Sequence, residues 1–280
     1  MIRTMWLTGA LLPLVAGASP APAQEQSSPA TSSATDEERP AKPPRRYRVG
    51  LGAQIVPSFP GADSTSVRPL VDIAVARGST PFEFEAPDES FGPGLIRAGG
   101  FEFGPALNIE GSRTPRKLGA PLAKIPTTFE AGAFASWTLS ESFRMRGEAR
   151  RGLGGHDGWT GVIGADYIAR NADAWLLSIG PRVTISGRRY HRAYFGVTAP
   201  EAAASGLPAF APGGGVQAIG GTAGLVFQLS PSWGVYSYAK YDRLIGDAGR
   251  SPVTRRLGSR DQLSGGLALT YTWGGGRKGR

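Results

Sequence analysis

From Tyr47 onward the chain follows a two-residue rhythm, and that rhythm limits what it can fold into. Tyr47, Val49, Leu51, Ala53 and Ile55 share one parity, against Arg48, Gly50, Gly52 and Gln54 on the other. Phe101, Phe103, Leu107 and Ile109 alternate with Glu102, Gly104, Asn108 and Glu110. Phe143, Met145 and Ala149 alternate with Arg144, Arg146, Glu148 and Arg150, and Leu267, Leu269, Tyr271 and Trp273 close the series. Alternation of this kind marks strands with one apolar face. Beyond the N-terminal segment no apolar run reaches the roughly 20 residues of a membrane helix. An all-β chain is expected.

A soluble sandwich turns the apolar faces inward; a membrane barrel turns them toward lipid. Three features favour an antiparallel transmembrane β-barrel. Tyr47, Trp137, Trp159, Trp175 and Trp273 fall near strand ends, where interfacial aromatic girdles belong. The polar faces carry Arg and Glu in numbers that suit a wet lumen. Glycine, 41 residues in all, is frequent on those faces and lets a small barrel close without overfilling. About twelve strands are expected, near 47–56, 67–77, 82–86, 93–98, 101–110, 127–139, 143–152, 158–169, 174–186, 216–229, 232–245 and 261–273. The alternation is least clean in 232–245. With both termini periplasmic, the outer connections (57–66, 87–92, 111–126, 153–157, 187–215 and 246–260) are all longer than the inner turns, as outer-membrane barrels require.

The N-terminus places this barrel. Arg3 precedes an apolar run from Met5 to about Ala18, and Ala21-Pro22-Ala23 supplies a small-x-small cleavage pattern. Residues 1–23 are expected to be a cleaved signal peptide. Residues 24–46, rich in Ser, Pro and charge, are expected to be a disordered periplasmic lead-in. Residues 47–273 form the barrel and 274–280 a basic tail. The net charge of +9 suits an anionic partner, and export argues against nucleic acid. Lipopolysaccharide and outer-membrane lipids remain.

One loop departs from the rhythm. Thr198-Ala199-Pro200-Glu201 reads as a capping box opening a short helix that Gly206 stops. So short a helix must pack on something, and the loop 187–215 is expected to fold over the barrel mouth with that helix as its packed lid. Arg188, Arg189, Arg192, Arg255 and Arg256 in the outer loops are expected to meet lipopolysaccharide phosphates.

Motifs of catalysis are absent from the sequence: no GxSxG, HExxH, phosphate-binding loop or dinucleotide fingerprint. The chain has no cysteine and two histidines. His156, next to Asp157, is read as satisfying backbone groups of its glycine-rich loop rather than as part of a relay. No cofactor or metal is expected. The inward parity brings together Arg48, Asp72, Glu102, Glu130, Arg144, Arg146, Glu148, Arg150, Asp166 and Arg182, whose mixed signs point to cross-strand ion pairs filling the lumen. The alternative is a charged pore lining.

The segments "FPGAD" (Phe59–Asp63), "FGPAL" (Phe103–Leu107), "GGHDGW" (Gly154–Trp159), "YFGVT", "SGLP", "LIGDA" and "SPV", in this order and ending in an aromatic strand, resemble the MipA/OmpV family of outer-membrane proteins over about Tyr47–Trp273. The resemblance implies a Gram-negative outer-membrane barrel without enzymatic activity. It implies a scaffold linked to peptidoglycan enzymes, with a lytic transglycosylase and a penicillin-binding protein as partners. A narrow porin-like channel and a surface adhesin are the alternatives. Family members end on an aromatic read by the barrel-assembly machinery. Here Tyr271 and Trp273 would serve, although "GGGRKGR" follows.

Overall fold

Residues 42–274 are described by the computed structural model. The expected signal peptide, the lead-in up to Ala41 and the tail beyond Gly274 lie outside the described residues. Among those described, eleven strands form one antiparallel sheet: β1 (Arg45–Pro57), β2 (Thr65–Arg77), β3 (Ile96–Ala98), β4 (Phe101–Glu110), β5 (Thr128–Ser140), β6 (Phe143–Leu153), β7 (Trp159–Asn171), β8 (Trp175–Ser186), β9 (Gly215–Gln228), β10 (Trp233–Leu244) and β11 (Asp261–Gly274). Neighbours in sequence are neighbours in the sheet, and β1 pairs with β11 from Arg46↔Gly274 to Ile55↔Gly265. Such a meander, wrapped so that the first and last strands meet, is the wall of an up-and-down barrel.

The burial pattern gives the wall its orientation. Along β6 Arg144, Arg146, Glu148 and Arg150 are buried, whereas Phe143, Met145 and Leu153 are exposed. Leu51 is 65% exposed and Leu267 61%. In water, apolar surface of this extent would drive association; facing lipid it is what a barrel requires. Aromatics gather at the end of the wall bearing the short turns. Tyr47 stacks on Trp273 at 5.7 Å and Trp233 meets Tyr271 at 4.8 Å. In β10 the inward face carries Tyr236 and Tyr238 beside Lys240 and Asp242, so its alternation was blurred by large inward rings.

Two expectations are corrected. Residues 82–86 form no strand, and residues 87–92 are no outer loop: the chain between β2 and β3 leaves the wall and enters the lumen. Phe82 and Ala86 are buried there, and the Phe82 amide donates to Asp173 in the β7–β8 turn at 2.9 Å. The chain rejoins the wall at Phe91, which exchanges both backbone hydrogen bonds with Leu107 of β4 (3.0 and 2.8 Å). The sheet therefore has two free edges, β2 and β3, with no ladder between them. The cause is electrostatic: this stretch carries Asp88 and Glu89, which find their cations inside.

Five short helices lie in the loops opposite the turns: α1 (Pro115–Leu118), α2 (Arg188–Phe195), α3 (Ala199–Ser205), α4 (Gly246–Arg250) and α5 (Pro252–Leu257). α3 has the expected capping box. Glu201 N–H donates to Thr198 Oγ1 at 3.4 Å, and Thr198 N–H donates to Glu201 Oε2 at 2.9 Å. It packs on the cap core through the partly buried Ala202, but it buries no residue and is not the main body of the lid. That role falls to α2, which buries Tyr190, His191, Tyr194 and Phe195.

If Trp273, paired with Tyr47 at the closing ladder, is the residue read by the assembly machinery, Trp273→Ala should lower the outer-membrane level of the protein and leave fragments in the periplasm. A normal membrane level on fractionation would rule that role out.

Candidate functional site

The interior is organised in layers. At the loop end Phe59 and Ala62 of the β1–β2 loop, Leu118, Leu122 and Ile125 of the β4–β5 loop, α2, Val197, Leu207, Leu244, Ala248 and Val253 form one hydrophobic core. Four loops thus share a cap. Polar ties lock it. Arg113 of the β4–β5 loop is 2% exposed and donates to the Tyr194 carbonyl at 2.8 Å and the Ala123 carbonyl at 3.0 Å. Ser251 Oγ donates to the Phe195 carbonyl at 2.7 Å, and the Ala123 amide donates to Glu201 at 2.7 Å. Burial pushes the His191 imidazole below its usual range, with Asp247 acting against this.

Below the cap, His156 joins loop to lumen. Its Nδ1 accepts from the Gly158 amide at 3.1 Å, so the proton sits on Nε2, which donates to Glu130 at 3.0 Å. Tyr190 packs edge-on against the ring at 4.7 Å. Gly158 makes this approach possible: a Cβ there would meet the Tyr190 backbone nitrogen at 2.4 Å. Both ring nitrogens are thus committed to structural bonds.

The expected lumen residues are brought together as ion pairs. Arg150 bonds Glu130 at 2.9 Å and also pairs with Glu148; Arg146 meets Glu148 at 3.2 Å. Arg182 meets Asp166 at 2.8 Å and Arg48 meets Asp72 at 2.9 Å. Glu102 stands apart near the turn end, paired with Arg97 at 2.7 Å. Sequence reasoning missed the inner segment's share. Glu89 accepts from Arg144 at 2.8 Å and lies 3.4 Å from Arg146; Asp88 accepts from Arg182 at 3.0 Å and Lys240 at 3.1 Å. Ser90 Oγ donates to Glu148 at 2.8 Å and accepts from Arg150 at 2.6 Å. The available signal was the excess of inward cations on β6 and β8, which needs acids from somewhere.

The segment divides the lumen. Between it and the cap lies a chamber of about 280 Å³ bordered by Phe59, Tyr190, Arg150, Lys240 and Asp88. On the turn side a vestibule of about 730 Å³ is lined by Glu83, Phe84, Arg97, Glu102, Glu141 and Arg144 and reaches Ile73 and Val75 at the open seam. Arg188, Arg189, Arg192, Arg255 and Arg256 are all exposed on the loop surface, where Arg188 and Arg189 border a depression of about 360 Å³ with Arg151 and Trp159.

This architecture defines an outer-membrane barrel protein whose lumen is capped and crossed by its own chain. The family profile described as "MltA-interacting protein MipA" matches residues 49–273, and the chain belongs to that family. A comparison with curated proteins gave no match. Among solved structures the chain is similar to the KdgM porin (10% identity, 82% of this chain and 99% of that one, TM-score 0.35). It is also similar to the NanC porin (11%, 81% and 98%, 0.37) and to Ail of Yersinia pestis (9%, 83% and 99%, 0.21). These superpositions are too loose to bear on function.

Glu148 sits between two guanidinium groups, and breaking such a buried pair costs about 3–5 kcal/mol. Glu148→Lys should lower the temperature at which the barrel loses its fast-migrating form on an unboiled gel. An unchanged transition would place Glu148 outside the network.

Proposed function

We propose that this outer-membrane barrel is a non-enzymatic anchor that presents its turn-side vestibule to a peptidoglycan-processing partner in the periplasm. The observation that carries the reading is obstruction at two levels. A four-loop cap closes one end and an ion-paired segment crosses the middle, so the larger open space faces the side of the short turns. A barrel built for diffusion would keep its lumen clear. The family description names an interaction with MltA, which supports a lytic transglycosylase as the partner; a penicillin-binding protein would join the same assembly. The rim offers charge of both signs, with Arg97 about half exposed beside Glu83 and Glu102. Mixed rim charge sets partner choice and docking register more than affinity.

The opposite surface meets the outer leaflet. Arg188, Arg189 and Arg192 project from α2, with Arg255 and Arg256 on α5, and no ion pair engages these five among the described residues. Their planar forks suit lipopolysaccharide phosphates. Trp159, under Arg151 at 5.9 Å, marks the interfacial level just below them.

The purified full chain should retain a purified lytic transglycosylase in detergent, and Arg97→Glu should weaken retention severalfold while leaving the unboiled gel form intact. Absence of retention by the folded wild type would defeat the anchor reading. Replacing Arg188 and Arg189 by Ala should reduce co-purifying lipopolysaccharide. Undiminished lipopolysaccharide would remove these residues from the contact.

A further inference from the structure

Asp88 and Glu89 are held as a ligand would be. Two adjacent carboxylates are gripped by four cations from three strands: Arg144 and Arg146 on β6, Arg182 on β8 and Lys240 on β10. Arg144 grips Glu89 with both terminal nitrogens, at 2.8 and 3.1 Å, and Arg182 Nε lies 3.1 and 3.0 Å from the two oxygens of Asp88. The fit is close. Only about 20 Å³ remains among Asp88, Glu89, Arg146, Glu148, Asp166 and Arg182, room for a single water. Arg146, Arg182 and Lys240 have further acids on the wall, but Arg144 has no other carboxylate partner among the described residues.

The segment that supplies these carboxylates also has another place to go. Phe82, Phe84 and Ala86 alternate with Glu83 and Glu85, the pattern of a wall strand. The wall has a vacancy of the right kind, because β2 and β3 present unpaired edges to each other. Backbone groups left unpaired against lipid are costly, and a barrel gains by closing. Closure by residues 79–90 would put Phe82 and Phe84 toward lipid and Glu83 and Glu85 toward the lumen. Hinges flank the segment: Gly78, at φ +55°, on one side and Gly92-Pro93-Gly94 on the other. The ion pairs hold the segment in; the open edges draw it out.

We propose that Arg144, Arg146, Arg182 and Lys240 form a lumen binding site for a small solute bearing two or more carboxylates, occupied here by Asp88 and Glu89 as an internal competitor. Such a solute displaces residues 79–90, which pair into the β2–β3 seam as a twelfth strand. The lumen is then obstructed at one level only, by the cap. This goes beyond the anchor reading and does not depend on it.

The chain has no cysteine, so Ser90→Cys introduces a single reporter on the segment. In the full-length folded protein it should react slowly with a maleimide. Citrate should accelerate the reaction severalfold over chloride at equal ionic strength, and Arg182→Gln should weaken that response. A labelling rate indifferent to citrate overturns the proposal. Independently, Asp88→Asn combined with Glu89→Gln, placed beside Ser90→Cys, should raise the maleimide rate without citrate to the level that citrate reaches in the parent protein, and citrate should add nothing further. If this variant keeps the unboiled gel form of a folded barrel but labels as slowly as the parent, the proposal fails. If it does not fold, the citrate response of the parent decides.

Discussion

The interior of this protein depends on one electrostatic match, the acids of residues 88–89 against the cations of β6, β8 and β10. Side chains on a strand alternate strictly, so a wall that must be apolar outside has every second position free to be polar within. Here those positions carry more arginine than the neighbouring strands carry acid, and an unpaired buried charge is far costlier than a paired one. The chain supplies the missing carboxylates from its own β2–β3 connection. That requirement draws the connection off the wall, leaves eleven strands instead of twelve and opens the seam. One local charge need accounts for the inner segment, the strand count and the free edges together.

The cap follows a different logic. Loops of a barrel tip have little apolar surface individually, and none of the five helices exceeds eight residues. Four loops pooled around Tyr190, Tyr194 and Phe195 make a core that none could make alone. Arg113 is the polar pin of that core, serving two carbonyls from separate loops. His156 then couples cap to lumen, because Tyr190 leans on its ring and Glu130 holds its Nε2. The outer and inner closures are therefore joined through ring packing above His156 and hydrogen bonds below it, which suits an anchor that keeps the outer side shut while offering a cavity on the other.

Most of the wall was legible in the sequence because period-2 alternation is a local signal, strongest where the outward residues are large, as in Phe101–Ile109. The capping box of α3 was legible for the same reason. Residues 82–86 misled because Phe-Glu-Phe-Glu-Ala is a sound strand pattern locally; its exclusion from the wall is decided by charges some 55 to 150 positions further along the chain. α2 was missed because its apolar face is built from Tyr190, Tyr194 and Phe195 among arginines, a composition that reads as an exposed basic loop. The lumen acids and bases were legible by parity, yet their pairing with Asp88 and Glu89 was not, since no periodicity links a turn to the far side of a barrel. Membership of the MipA family was carried by scattered short motifs spread over the same span that the family profile covers.

The central claim is that the inner segment lies in the lumen with Glu89 on Arg144. A double-mutant cycle of Glu89→Gln and Arg144→Gln, read by urea unfolding in detergent, tests it most directly. Groups in contact couple by about 0.5–3 kcal/mol, while distant ones add within about 0.5 kcal/mol. The account requires a coupling of at least about 1 kcal/mol, within the contact range. Additive effects would mean that Glu89 does not meet Arg144, and the account of the lumen would be wrong.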